Sequence, residues 1–328
     1  MKFSPSIVTI VLAALLMYGT SAQAQKPKEK EKGRGEGAAQ LIQQTATTTP
    51  TVNVMLTTGA GKITVRGVDR NEVQAATKDA GTKIVLRRTG AANASVPAAR
   101  VVVLVLNKAE GEETEDDSSD TSSDVMLDVP RGATVYLKTQ DGDVDVQDVA
   151  EAHVETSGGR IDLRRISKAT EAASVDGEVT LEDASGRARL SSIGGVVEVK
   201  NLRALDANDF LKIKTASGDV LLDRIGPARV EAATITGEVK LTGALTRGGS
   251  YAFTTTTGDV TLELPADSSF KLNARVSERG VIDTEFPLAY KGTPSSSIRQ
   301  GHLTGSYGSG DATLSLSSFS GTIRLRKR

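Results

Sequence analysis

The chain has 328 residues, a formal net charge of −1, no cysteine, no tryptophan and two histidines. These counts exclude a disulfide framework and a His/Cys zinc centre built within one short motif, and the near-neutral balance gives no general pull toward nucleic acid or acidic membranes. Hydrophobic residues make up 38% of the chain but aromatic ones only 3%, enough for an aliphatic core and too few for a sugar-stacking platform as the main binding device.

Residues 1–24 read as a secretory signal peptide: Lys2, then an apolar run from Ile7 to Met17, then the small-residue site Ala22-Gln23-Ala24. The apolar run falls short of the ~20 residues that cross a bilayer, so the mature chain, of charge −2, is expected to lack a transmembrane span. Residues 25–48 open with Lys26-Pro27-Lys28-Glu29-Lys30 and end rich in threonine, the composition of a solvated tether. Order is expected near Val52, within a single domain spanning 49–328. Further strands are expected at Lys83 to Arg87 and at Arg100 to Leu106, the latter aliphatic enough for burial on both faces. The acidic, serine-rich insertion at 107–124 lacks the alternating carboxylates and central glycine of a calcium loop and reads as a disordered loop.

From Val135 onward a repeat takes over, anchored on glycine. Copies fall at Gly61, Gly142, Gly159, Gly177, Gly195, Gly218, Gly237, Gly258, Gly310 and Gly321, with a degenerate one at Gly280. Apolar pairs follow two and four positions after the glycine, for example Val144 and Val146 or Val220 and Leu222, and another apolar position precedes it by five. Period-2 alternation on both sides of a turn residue means strand, glycine corner, strand, with glycine accepting positive φ. From Gly142 to Gly258 the copies recur roughly every 20 residues, a spacing that marks units stacking on their neighbours. The expected fold is therefore all-β, a repetitive β-solenoid with about 20 residues per coil. Three positions before the glycine stands a hydroxyl, as in Thr58, Thr139, Ser192 and Thr215, with Tyr307 as the exception. Its parity matches the inward apolar position, so a buried hydroxyl ladder is expected. The segment 265–305 breaks the rhythm; it contains strand-like runs from Phe270 to Val276 and from Val281 to Phe286 and reads as an irregular coil or surface loop pair, and 308–328 as two closing copies.

The Thr-x-Ser/Asp-Gly-Asp/Glu-Val-x-Leu units, the Asp128-Val129-Pro130-Arg131-Gly132 turn and the ending from Gly308 to Leu325 together resemble the bacterial "putative adhesin" β-strand-repeat family, a domain of unknown function. The resemblance covers roughly 50 to 328. It implies an exported β-solenoid-like domain, and it offers no catalytic residues to carry over.

Searching for chemistry yields no Gly-x-Ser-x-Gly elbow and no phosphate-binding loop, and His153 and His302 stand in different contexts. No catalytic, cofactor or metal residue is assigned. The one outward constellation follows the glycine directly: Asp143, Glu178, Asp219, Glu238 and Asp259, interrupted by Arg160 and Val196. It reads as a solvated edge or, more sharply, as a contact stripe for cations or glycan. The expected function is non-enzymatic: an exported interaction protein of the periplasm, outer envelope surface or extracellular space, binding an envelope protein or glycan and no nucleic acid. The alternative is a carbohydrate-active solenoid enzyme using stacked carboxylates.

Overall fold

The computed structural model describes residues 42–89, 96–107, 122–277, 280–289 and 301–328. The signal peptide, the tether up to residue 41 and the core of the acidic insertion, 108–121, lie outside the described residues. Among the described residues there are twenty-five strands and no helix. The first six are β1 (Ile42–Ala60), β2 (Ile63–Val68), β3 (Glu72–Thr77), β4 (Thr82–Thr89), β5 (Ala98–Asn107) and β6 (Val125–Pro130).

The middle of the molecule is regular. β7 (Thr134–Asp141), β9 (Glu151–Thr156), β11 (Ala169–Ser174), β13 (Arg187–Ser192), β15 (Phe210–Thr215), β17 (Arg229–Thr236) and β19 (Ser250–Thr257) pair in parallel as one sheet, here called the first. β8 (Val144–Gln147), β10 (Ile161–Arg164), β12 (Val179–Glu182), β14 (Val197–Leu202), β16 (Val220–Ile225), β18 (Val239–Thr242) and β20 (Val260–Leu264) form the second. The chain therefore alternates between sheets, with the glycine corner joining each pair of strands. Equivalent residues sit directly over one another: Val144, Ile161, Val179, Val197, Val220, Val239 and Val260 form one buried column. Leu137, Val154, Ala172, Leu190, Ile213, Ala232 and Phe253 form another, from the facing sheet. The two columns belong to one continuous aliphatic core, which is what the period-2 pattern requires once one face of each sheet is buried.

The corner glycines stack as well, and the reason differs from the expected one. Only Gly61, Gly237 and Gly258 in this column have left-handed φ values, 97°, 151° and 149°. What the column shares is close approach. A Cβ added to Gly177 would lie 1.8 Å from the carbonyl oxygen of Gly159, and one on Gly218 would lie 2.2 Å from that of Gly195. Steric exclusion by the coil beneath thus selects glycine here.

The hydroxyls three positions earlier are buried, as their parity predicts. The Ser192 hydroxyl donates to the carbonyl oxygen of Gly177 at 3.0 Å and accepts the N–H of Gly195 at 2.9 Å. Thr234, Thr255 and Ser318 donate in the same way to Gly218, Gly237 and Gly258, at 3.1, 3.1 and 2.8 Å. The ladder satisfies the corner carbonyls, which the bend would otherwise leave unpaired inside the molecule.

Both ends depart from chain order. The last strands are β21 (Phe270–Val276), β22 (Val281–Thr284), β23 (His302–Tyr307), β24 (Ala312–Ser320) and β25 (Thr322–Lys327). β24 lies between β19 and β21, and β25 between β20 and β22, parallel to both neighbours in each case. Of the two readings for this stretch, an irregular coil or a surface loop pair, the coil holds: the strand-like runs at Phe270 and Val281 are β21 and β22 of a terminal coil, in which Gly280 stacks on Gly321, and the strands closing the chain fill the slot it leaves. Gly310 is no corner: its φ is 73°, it lies against the Lys271 side chain, and Tyr307 stands outside the hydroxyl ladder for that reason. The two expected closing copies are a single one, around Gly321.

The opposite end repeats the device. β1 lies between β5 and β7, and β2 between β6 and β8. An antiparallel strand covers the outer coil of the first sheet at each end, β4 on β5 and β23 on β21. Ordered structure also begins earlier than expected. Ile42 to Thr47, inside the predicted tether, pairs antiparallel with β3, and Ala46 and Thr48 are buried. The threonine-rich composition read as solvated is also good strand composition, and a partner strand decides between the two.

Candidate functional site

The stripe Asp143, Glu178, Asp219, Glu238 and Asp259 does form one column along the corner, because each residue precedes a member of the stacked valine column. Three of its five carboxylates bind the fold itself. Asp143 Oδ1 accepts the N–H of Arg160 at 2.9 Å, Asp219 Oδ1 that of Glu238 at 2.8 Å, and Asp259 Oδ1 that of Thr322 at 2.7 Å. Asp124 does the same for Lys62 at 2.8 Å. Each aspartate thus ties its coil to the next. Burial alone would raise the Asp259 carboxyl, but the Thr322 N–H and the Arg324 guanidinium outweigh it and hold the group below the usual carboxylate range. Glu178 and Glu238 carry no side-chain hydrogen bond or ion pair among the described residues and are the stripe's unengaged members. No group of three or more His, Cys, Asp or Glu residues placed to hold a metal ion is found among the described residues.

Two positions before the glycine lies a column that the sequence reading passed over. Val175, Ile193, Ile235 and Phe319 are 40%, 56%, 58% and 68% exposed, four of the ten large hydrophobics that reach solvent among the described residues. Ala216 lies between Ile193 and Ile235 in the same column. Beside it a groove of about 570 Å³ runs over Ala173 and Ser191 and is flanked by Lys138, Glu155 and Lys214. The signal was present in the sequence, as apolar residues at a position whose parity points outward.

The corner opposite the glycines carries a second feature that spacing alone does not announce. Asp148, Arg165, Asp183, Asn201 and Arg224, one per coil, all adopt left-handed φ between 53° and 62°. Asparagine and aspartate take this conformation readily and arginine less so, and side-chain bonds between coils compensate. Arg165 clasps Asp148 through Nε and Nη2 at 2.9 and 2.8 Å, Arg131 adds a contact to Asp148 at 3.1 Å, and Asn201 Nδ2 donates to Asp183 at 2.9 Å. Arg224 Nε donates to Asn201. Hydrogen bonding from Arg165 holds the Asp148 carboxyl below its ordinary range.

The outward face of the first sheet gathers the remaining chemistry. His153 stacks on Tyr136 with ring centroids 4.7 Å apart and 8° between planes. Its Nδ1 lies 3.4 Å from Glu171, and the Arg189 guanidinium sits 5.8 Å from the Phe210 ring centroid. On the second sheet Asp162 stacks on Asp145. Burial first, and the Asp145 charge second, raise the Asp162 carboxyl above its ordinary range.

A parallel strand repeat with stacked glycine corners, buried hydroxyls and capped ends defines a class of β-repeat domain rather than a particular chemistry. Residues 118–326 match the Toastrack DUF4097 family model, and the chain belongs to that family. Among solved structures it is similar to a protein of Parabacteroides merdae described as a putative adhesin, with 9% identity, a TM-score of 0.42, and coverage of 89% of this chain and 98% of that one. It is also similar to one of Bacteroides fragilis with the same description, at 14% identity, TM-score 0.38 and 88% and 98% coverage. A Clostridium sporogenes protein described as a putative cell adhesion protein gives 11%, 0.28, and 88% and 100%. Curated proteins offer no match. Among the described residues no helix is long and apolar enough to cross a membrane.

Proposed function

We propose that the chain is an exported β-solenoid that works as a non-enzymatic interaction protein of the cell envelope or surface, binding its partner along the glycine corner. The exposed apolar column carries this reading, running beside the acidic stripe through Val175, Ile193, Ala216 and Ile235 on four successive coils and, past Thr256, to Phe319. The run from Val175 to Ile235 is a contiguous apolar strip bordered by charge, the composition of an interaction surface, since isolated surface hydrophobics have no reason to share one column. Within the stripe, Glu178 and Glu238 supply the free charge and the aspartates supply the scaffold.

The test is retention of the full exported chain on immobilised envelope fractions. Ile193→Ser, Ile235→Ser and Phe319→Ser should weaken retention in cumulative steps without lowering the melting temperature. Glu178→Gln with Glu238→Gln should add a smaller loss that fades at high salt. Retention unchanged in the triple apolar variant overturns the reading.

A carbohydrate-active enzyme is the second reading, and Asp162 favours it, as a carboxyl raised by burial beside a second carboxylate. It requires polysaccharide turnover that Asp162→Asn or Asp145→Asn reduces by ~10²-fold or more. Turnover insensitive to both, or none, leaves the interaction reading in place.

A further inference from the structure

We infer that the depression over Ala169 on the outward face of the first sheet binds a pyranose carrying a carboxylate, with Arg187 and Arg189 taking the acid and Phe210 the sugar face. The inference stands on residues separate from the glycine corner, and it names a ligand class that the corner reading does not require.

The depression has a volume of about 330 Å³ and is lined by His153, Ala169, Thr170, Glu171, Arg187, Arg189 and Phe210. That lies at the lower end of the ~300–1,000 Å³ typical of ligand sites and has room for one sugar ring rather than a long chain. Register explains why it exists. Ala169 pairs with Glu151 on one side and Arg187 on the other, so a methyl group occupies a row whose neighbours are long. The gap is walled on the parallel row by Glu171 and Arg189, which pair with each other, and by His153, which pairs with Glu171.

The walls have a definite chemistry. Arg187 and Arg189 alternate on β13 and both point to solvent. Arg187 makes no ion pair among the described residues. Arg189 Nε is 3.8 Å from Glu171, beyond hydrogen-bond range. Two guanidinium forks therefore face one gap with most of their donors open, an arrangement matched to a planar carboxylate. The Phe210 ring orients Arg189 and offers an apolar surface to the C–H face of a sugar. Glu171 and the ring nitrogens of His153, held in place by Tyr136, supply acceptors and a donor for hydroxyl groups.

Inorganic anions would have no use for Phe210, and a neutral sugar none for two arginines. Their conjunction selects an acidic sugar. The low aromatic content of the chain excludes a broad stacking platform but not a single ring beside two arginines.

The experiment titrates the full exported chain with trigalacturonate and with a neutral hexose trisaccharide, following binding by calorimetry and by the His153 ring resonances in NMR. Trigalacturonate is expected to bind and to shift those resonances, with the neutral sugar at least about tenfold weaker. The pair Arg187→Ala and Arg189→Ala should weaken trigalacturonate by about tenfold or more, and Phe210→Ala by less. Because side chains on this outward face could still affect folding, Arg189→Lys serves as a second variant. It keeps the charge and loses the fork, and should also bind more weakly. Equal affinity for the neutral sugar, unchanged affinity in the double variant, or no binding of trigalacturonate overturns the inference. Partner binding at the glycine corner is tested independently, by retention of the Ile193, Ile235 and Phe319 variants.

Discussion

The middle of the molecule and its two ends are built from the same strand–corner–strand unit, yet they are assembled by different rules. From Val144 to Leu264 each coil lies on the one before it in the chain, so every strand pairs with the next strand of its own sheet. At the ends the order is broken: Val260 of β20 pairs with Ile323 of β25, and the chain between them passes through β21, β22, β23 and β24. A repeat that only propagates leaves an open edge on each of its two sheets at either end, and such edges invite pairing with other chains. Here the first coil, β1–β2, and the last, β24–β25, are inserted one layer inside the stack, and antiparallel strands β4 and β23 cover the outer coils of the first sheet. Both of these strand pairs are thereby hydrogen-bonded on two sides, so neither can fray without opening a sheet.

The sharpest way to break this comparison is at a stacked glycine of the middle. Gly177→Val places a Cβ 1.8 Å from the Gly159 carbonyl oxygen, so the coils must separate, and a loss of about 3–5 kcal/mol or failure to fold is expected. Gly248→Ala is the control. That glycine has φ of 71° and nothing within 4 Å of an added Cβ, so the change should cost only about 1 kcal/mol. Urea denaturation of the two variants measures the difference, and similar losses would show that conformation, not stacking, selects the corner glycines.

Next in size is the inserted end. Leu316 is 1% exposed and continues the column of Phe253, so Leu316→Ala should cost about 2–5 kcal/mol. Leu190→Ala in the middle should cost a similar amount at equilibrium. Hydrogen exchange should separate them: Leu316→Ala should expose the amides of β19 and β21 together, because both pair with β24, whereas Leu190→Ala should act on β11 and β15. Local opening confined to β24 would contradict the inserted arrangement.

This contrast also explains what the sequence could say. Glycine spacing, apolar parity and the hydroxyl position are local quantities, so the strands and the inward face of Thr139, Ser192 and Thr215 were legible. Insertion of β24 is not local. Nothing near Leu314 states that its neighbours are Tyr251 and Leu272 rather than the preceding strand. The acidic column was legible as a column but not in its use, since the bond from the Glu238 N–H to Asp219 depends on the rise between coils. Val175, Ile193 and Ile235 were readable as outward apolar residues from parity alone. The depression over Ala169 was not, because it needs the register of four strands.

A smaller effect distinguishes the hydroxyl ladder in the middle from its first rung. Ser192 makes two bonds, to Gly177 and from Gly195, and Ser192→Ala should cost about 1–2 kcal/mol. Thr58 is 1% exposed and its Oγ1 has no partner among the described residues, so Thr58→Val replaces an unsatisfied hydroxyl with a methyl and should be neutral or stabilising. A clear loss on Thr58→Val, read by thermal melts, would mean that the first rung is bonded like the others.

The smallest contrast is electrostatic and has opposite signs on neighbouring coils. Asp148 is held below its ordinary range by hydrogen bonding to Arg165, so its ionised form is favoured by folding. Its contribution is present above the unfolded-state value, ~3.9, and is lost as pH falls through the lower folded value. Asp162 is raised by burial and by Asp145, so folding favours its protonated form. That contribution is complete below the unfolded-state value and is lost as pH rises through the higher folded value. Asp148→Asn should therefore destabilise at pH 7 and flatten the acid limb of the stability curve. Asp162→Asn should stabilise slightly at pH 7 and have no such benefit at pH 3. Both carboxylates are partly solvated, so the shifts should be modest and shrink in salt. Denaturation midpoints at pH 3, 5 and 7 for the two variants decide the matter. If Asp162→Asn destabilises at pH 7, the Asp145–Asp162 pair is not a cost to folding, and the argument for a perturbed carboxyl at that position fails with it.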